Sequence, residues 1–190
     1  LGSVTGALKI VSTRETVAGV TTDTTEIGVD RAAGALTPGG VGVSLADGKG
    51  ALVLQTVEMA DGSVTTKYGF VAEGDVALDG VPGVTLAADD LIVAYNRWGN
   101  DLAVDVETAS GTYSVNLVDN ETRLRGYMTI GVADAIVAEG NLFMEAREDQ
   151  GVLLADGSTI TADHLFIAGA DVAISVGNDS IGAELSETDI

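Results

Sequence analysis

Few side chains in this sequence carry the chemistry that catalysis or ligand binding demands, and each group has a bland reading beside the sharp one. The single histidine, His164, lies between Asp163 and Leu165 in a stretch that reads as a strand over Thr161–Ala168. A nucleophile needs a base of this kind beside it, with a third group to orient the base. No Gly-x-Ser-x-Gly elbow accompanies it, so His164 reads as a strand residue facing solvent or a carboxylate. Cysteine is absent, which removes thiolate chemistry, disulfides and cysteine-zinc sites. The sequence also contains no P-loop, dinucleotide fingerprint or metal-binding histidine pair.

Acids are plentiful, and calcium takes oxygen ligands from Asp, Asn and carbonyl groups in glycine-rich loops. Asp89-Asp90, Asn100-Asp101 with Asp105, and Asp119-Asn120-Glu121 are the candidate loops. Asp89, Asp90, Asp119 and Glu121 are the metal ligands they suggest. None of these loops matches the twelve-residue calcium loop, and scattered acids otherwise form a solvated face. Calcium is thus the one cofactor the acids invite, and none is required. Sugar binding needs aromatic platforms, and only one Trp, four Tyr and three Phe occur. Tyr95, Trp98 and Asn100, with Tyr113 and Asn96 nearby, form the candidate ligand patch. The alternative role for Trp98 is to cap a turn in Arg97-Trp98-Gly99-Asn100. Thr21-Thr22-Asp23-Thr24-Thr25 is a lone threonine cluster and reads as a β-prone polar segment.

The elements that must position these groups are strands. Val76 and Leu78, Val84 and Leu86, then Leu91, Val93 and Tyr95 are apolar at a spacing of two. The same period holds at Val41, Val43, Leu45; Leu52, Leu54; Met128, Ile130; and Val172, Ile174, Val176. With only Pro38 and Pro82 against 25 glycines, glycine punctuates the chain. Asp-Gly pairs at 47–48, 61–62, 79–80 and 156–157 suit turns that need positive φ. Residues 132–139 could form a helix stopped by Gly140, but their likeness to the strand pattern at 81–88 favours a strand.

The chain also repeats itself. Residues 80–93 line up with 131–144, an offset of 131 − 80 = 51, and 85–94 line up with 159–168, an offset of 159 − 85 = 74. Gly42-Val43-Ser44-Leu45-Ala46-Asp47-Gly48 recurs as Gly151-Val152-Leu153-Leu154-Ala155-Asp156-Gly157. Unequal offsets indicate a recurring strand–turn–strand element rather than an evenly counted coil. Through 74–86, 91–96, 125–130, 138–143 and 153–160 the sequence resembles the tandem units of giant secreted or surface bacterial proteins, relatives of hemolysin-type and adhesin repeats. That resemblance implies extended β modules with extracellular duty and supplies no catalytic residues. The Gly-Gly-x-Gly-x-Asp calcium nonapeptide of the hemolysin-type relatives is missing here.

Charge and hydropathy narrow the class. The 190 residues carry 29 acids against 9 bases, a net charge of −20, yet 46% are hydrophobic and the mean hydropathy is +0.30. Such apolar content excludes a disordered acidic tail. The acidity argues against nucleic acid and anionic membrane surfaces, and no apolar run is long enough for a membrane-spanning helix. Leu1-Gly2-Ser3 reads as the remainder of a cleaved tag, and 4–190 as one all-β repeat module. The expected architecture is an elongated, solenoid-like stack of strand–turn–strand repeats, with a β-sandwich as the alternative. The expected function is a non-enzymatic spacer or matrix-forming module of an extracellular bacterial surface protein. Its expected partners are neighbouring repeats of the same protein and cell-surface polysaccharide. A carbohydrate- or calcium-dependent adhesin module is the alternative. A β-helical polysaccharide-cleaving enzyme is a third reading, opposed by the scarcity of aromatic and basic residues.

Overall fold

The computed structural model describes residues 3–36, 42–79, 84–132, 135–178 and 181–188. Eleven strands and no helix occur among them: β1 (Ser3–Val17), β2 (Val20–Leu36), β3 (Gly42–Glu58), β4 (Val64–Asp79), β5 (Val84–Arg97), β6 (Leu102–Glu107), β7 (Thr112–Leu117), β8 (Glu121–Val132), β9 (Ile136–Leu153), β10 (Thr159–Asn178) and β11 (Ile181–Thr188). Nine form one antiparallel sheet in the order β1-β2-β3-β4-β5-β8-β9-β10-β11, and β6-β7 form a separate hairpin. The all-β expectation therefore holds. Among the described residues the strand–turn–strand units lie side by side in a single sheet, with neither stacked coils nor a second full sheet. Ser3, set aside as tag remainder, opens β1 opposite Ala35. The 132–139 stretch is divided: Val132 ends β8 and Ile136 begins β9 as its direct partner, while 133–134 lie outside the described residues.

Strands of 14 to 20 residues exceed the usual five or six, and a line of bulges lets the sheet accommodate them. Register shifts occur between Val29 and Ala32, Ala46 and Lys49, Asp89 and Ile92, and Ala170 and Ala173. In each interval one residue takes positive φ near 50°: Arg31, Asp47, Asp90 and Asp171. Asp tolerates this left-handed region better than most side chains. At Asp90 the bulge is tied down by its own N–H, which donates to Asp75 Oδ1 at 3.0 Å. The neighbouring strands meet the bulges with glycine. A Cβ on Gly74 would lie 2.9 Å from the Ala46 carbonyl oxygen, and one on Gly140 2.9 Å from Val172 Cα. Adding one residue per bulge kinks the strands along a common line, so the sheet is creased across its width.

Two Asp-Gly pairs do form hairpin turns. Met59–Ser63 and Leu154–Ser158 share one geometry, with φ of 83° at Gly62 and 84° at Gly157. In both, the serine N–H after the glycine donates to the turn Asp at 2.9 Å. Asp47-Gly48 is instead the mid-strand bulge of β3, and Gly80 lies outside the described residues. The echoed Leu-Ala-Asp-Gly segments at 45–48 and 154–157 thus fold differently. The residue after glycine separates them: Ser158 completes the turn around Asp156, whereas Lys49 continues the strand.

Directly opposed residues share a face of the sheet. One face carries Gly28, Ala51, Val71 and Ala94 in a row across β2–β5, and the β6-β7 hairpin lies on it. The buried core is here: Ala51, Val53, Val71 and Ala94 from the sheet, and Leu102, Val106, Val115 and Leu117 from the hairpin. Small sheet residues admit the hairpin closely; a Cβ on Gly69 would sit 2.6 Å from Leu102 Cδ2. The opposite face carries Ile27, Leu52, Phe70 and Tyr95 in one row and Val29, Gly50, Ala72 and Val93 in the next. No element covers it among the described residues. The two surfaces are called below the clasped face and the open face.

Candidate functional site

The hairpin is clasped at both ends by polar side chains. At its base, Asn96 is fully buried and makes three hydrogen bonds. Its Nδ2 donates to the carbonyls of Asn100 at 3.0 Å and Val118 at 2.7 Å, and its Oδ1 accepts from the Trp98 N–H at 2.8 Å. One amide thus joins the start and finish of the excursion from β5 to β8. Beside it, Glu121 is 1% exposed. Its Oε2 accepts the Val118 N–H at 2.9 Å, and Oε1 lies 2.9 Å from Arg123 Nη1. That second contact is an ion pair out of hydrogen-bond alignment, so Glu121 Oε1 has no hydrogen-bond partner, and Arg123 Nε is likewise buried without one. At the tip, Asp30 Oδ2 accepts the Ser110 N–H at 2.8 Å. The Thr108 hydroxyl chiefly, with the Ser110 N–H, holds the Asp30 carboxyl below the ordinary Asp value. Lys9 Nζ reaches Glu107 at 2.6 Å, and this partner likewise lowers the Glu107 pKa.

The sheet separates the aromatic patch expected from sequence. Tyr95 lies on the open face, stacked with Tyr68 at 5.7 Å and Phe70 at 5.9 Å between ring centroids. The Arg97 guanidinium sits 4.9 Å from the Tyr95 centroid, and the Tyr68 hydroxyl, hydrogen-bonded with Tyr95, is held above the ordinary phenol value. Trp98 packs against the hairpin core on the clasped side, so its turn-capping role is the one observed. Asn100 is exposed and contributes its backbone carbonyl to Asn96. Tyr95, Trp98 and Asn100 therefore make no common platform. What sequence reading missed is the purpose of Asn96; a buried amide between two strand runs was the available signal.

The four candidate metal ligands also fall into two places. Asp89 and Asp90 form the β5 bulge, and Asp119 and Glu121 belong to the β7–β8 turn at the hairpin base. Asp89 opposes Tyr127, six residues along β8 from Glu121, which separates the two pairs by roughly 20 Å at 3.3 Å per residue. The Asp119 N–H donates to Asp101 Oδ1 at 2.9 Å, and Glu121 is committed to Val118 and Arg123. No group of three His, Asp or Glu side chains is placed to hold a metal among the described residues. His164 is exposed in β10, directly opposite Arg147 of β9.

Two depressions flank the crease. On the open face, a volume of about 450 Å³ is lined by aliphatic and aromatic groups including Ile27, Leu45, Leu52, Phe70, Val76 and Val93. Gly48, Gly50 and Gly74 are among its lining residues, and a Cβ on any of them would lie within 3 Å of neighbouring backbone, so these strands approach too closely for a side chain there. On the other face, across β5, β8, β9 and β10, a depression of about 510 Å³ has a mixed lining: Asp89, Asp90, Arg125, Tyr127, Asn141 and Phe143. Arg125 makes no ion pair among the described residues. Asp89 and Asp90 thus border a cleft, in company that sequence spacing did not suggest. Compared with known proteins, the chain matches no family model, no curated protein and no solved structure.

Proposed function

We propose that this chain is a non-enzymatic structural module of a large extracellular bacterial surface protein, a spacer or matrix-forming unit that works by packing sheet surfaces together. One observation carries the reading: the solvent-accessible surface is 11576 Å², against about 8,400 Å² for a compact monomer of 19.2 kDa. The surplus of roughly 3,000 Å² reflects an open sheet that is only partly covered, and it supports the reading of a part that packs against a neighbour. The repeated strand–turn–strand units, and the resemblance to tandem surface repeats, support an extended, laterally continued architecture. The acids serve solubility and guard the edges against uncontrolled strand pairing; calcium enters as a counter-ion to that charge. Antibody labelling tests the assignment. Staining of intact cells supports it, and staining only after permeabilisation overturns it.

A second reading, a polysaccharide-binding adhesin module, is favoured by the mixed cleft rather than by Trp98. Arg125 and Asn141 offer donors, Asp89 and Asp90 offer acceptors, and Tyr127 and Phe143 offer apolar ring surface, the combination that sugars use. A glycan array with wild type and Tyr127→Ala checks it: binding lost in the variant supports this reading, and no binding by either protein removes it.

A further inference from the structure

Resting on the polysaccharide-binding reading of the mixed cleft, we propose that its ligand is an amino-sugar polymer carrying both free amines and N-acyl groups, with an amine at Asp89 and Asp90. Register lays the cleft out as two rows across four strands. Asp89 of β5 opposes Tyr127 of β8, followed by Asn141 of β9 and Ala170 of β10. The next row runs Ile92, Arg125, Phe143 and Ala168. Opposed residues share a face, so the acids stand at one end, the rings in the middle and small residues at the other. Three strand spacings make this span about 14 Å, and the volume of about 510 Å³ admits a short run of sugars.

Charge selects the class of sugar. Asp89 and Asp90 are exposed and make no ion pair among the described residues. The bulge holds them at the rim, with Asp90 at φ 50° and its N–H tied to Asp75 Oδ1 at 3.0 Å. A chain of net charge −20 repels a polyuronate and draws an ammonium group toward these carboxylates. Arg125 lies in the second row, opposite Ile92, where with Asn141 it offers donors to an N-acyl carbonyl. Tyr127, 38% exposed, and Phe143 offer ring faces to the sugars. Phe166 meets Phe143 edge-on at 5.8 Å between centroids, which fixes that ring. Ala168 and Ala170 leave room at the far end for an acyl methyl. A neutral glucan leaves both carboxylates without a cation, and a basic peptide makes no use of the rings.

Titration calorimetry on the 190-residue chain tests this, with far-UV circular dichroism confirming the fold of each variant. The probes are N-acetylglucosamine hexamers, partly deacetylated or fully acetylated, a neutral glucan hexamer, an oligouronate and oligolysine. The partly deacetylated hexamer is expected to bind most tightly, and added salt to weaken it. Asp90→Asn, which tolerates the same backbone, should weaken it about two- to fivefold, and Tyr127→Ala about five- to tenfold. Glu15→Gln, far from the cleft, should bind as wild type does. Equal or tighter binding of the acetylated hexamer, the glucan or the uronate overturns the amine assignment and leaves a sugar site. Oligolysine bound as tightly, with no loss in Tyr127→Ala, overturns it in favour of a general cation surface. No binding of any glycan removes both this proposal and the polysaccharide reading.

Discussion

The two faces of the sheet present similar aliphatic side chains to different ends. On the clasped face, Ala51, Val53, Val71 and Ala94 are buried by the hairpin, and polar groups at its base and tip fix that cover in place. On the open face, Leu8, Ile10, Leu165 and Ile167 stay more than half exposed. Hydrophobicity alone does not distinguish them. What does is the short excursion between β5 and β8, with side-chain hydrogen bonds that give it one position. The contrast teaches that the chain makes its own core over part of one face and, among the described residues, leaves the other uncovered.

The largest effect is expected at the base of the clasp. Arg123→Ala leaves the carboxylate of Glu121 buried without its cation, and breaking such a pair costs about 3–4 kcal/mol; urea denaturation measures it. Asn96→Ala removes three hydrogen bonds and leaves the Asn100 and Val118 carbonyls without that donor. The expected loss is about 3 kcal/mol, with enhanced hydrogen exchange over β6 and β7. If exchange rises uniformly over the sheet, the hairpin is not a separable cover.

Acid should loosen the tip. The folded-state pKa values of Asp30 and Glu107 are lowered from 3.8 and 4.5, so their contribution is fully present above those unfolded values. It is lost as pH falls through the depressed folded values. Acidification also relieves the repulsion of 29 acids, so the informative measurement is the difference between wild type and Asp30→Asn. That difference in melting temperature should be constant near neutrality and shrink below about pH 4. The smallest effect belongs to the open face: Ile167→Thr in the isolated monomer should change stability by no more than about 0.5 kcal/mol, in contrast to Val106→Thr in the clasped core.

Local pattern made the strands legible. Alternation at Leu91, Val93 and Tyr95, and at Val172, Ile174 and Val176, corresponds to β5 and β10. Asp61-Gly62 and Asp156-Gly157 form the turns their composition favours. Asp47-Gly48 does not, because the same pair also supplies the left-handed residue of a bulge, and only the partner strand distinguishes the uses. Spacing brought Tyr95 and Trp98 together on paper, but the chain leaves the strand between them and turns to the other face. The cleft around Asp89 and Asp90 was invisible for a related reason. It gathers Arg125, Asn141 and Phe143 from strands whose adjacency depends on skipping the hairpin. Long-range order of this kind is a property of pairing, which composition does not encode.

The crease has a consequence for how this fold tolerates insertion and deletion. In a straight strand, losing one residue sends every later side chain to the wrong side. Here Arg31, Asp47, Asp90 and Asp171 already occupy supernumerary positions, each outside the pairwise ladder. A strand can therefore be lengthened or shortened by two residues beyond this line while the hairpin-bearing half keeps its parity. The line divides the sheet into a half whose geometry the hairpin fixes and a half whose length can change without disturbing that core.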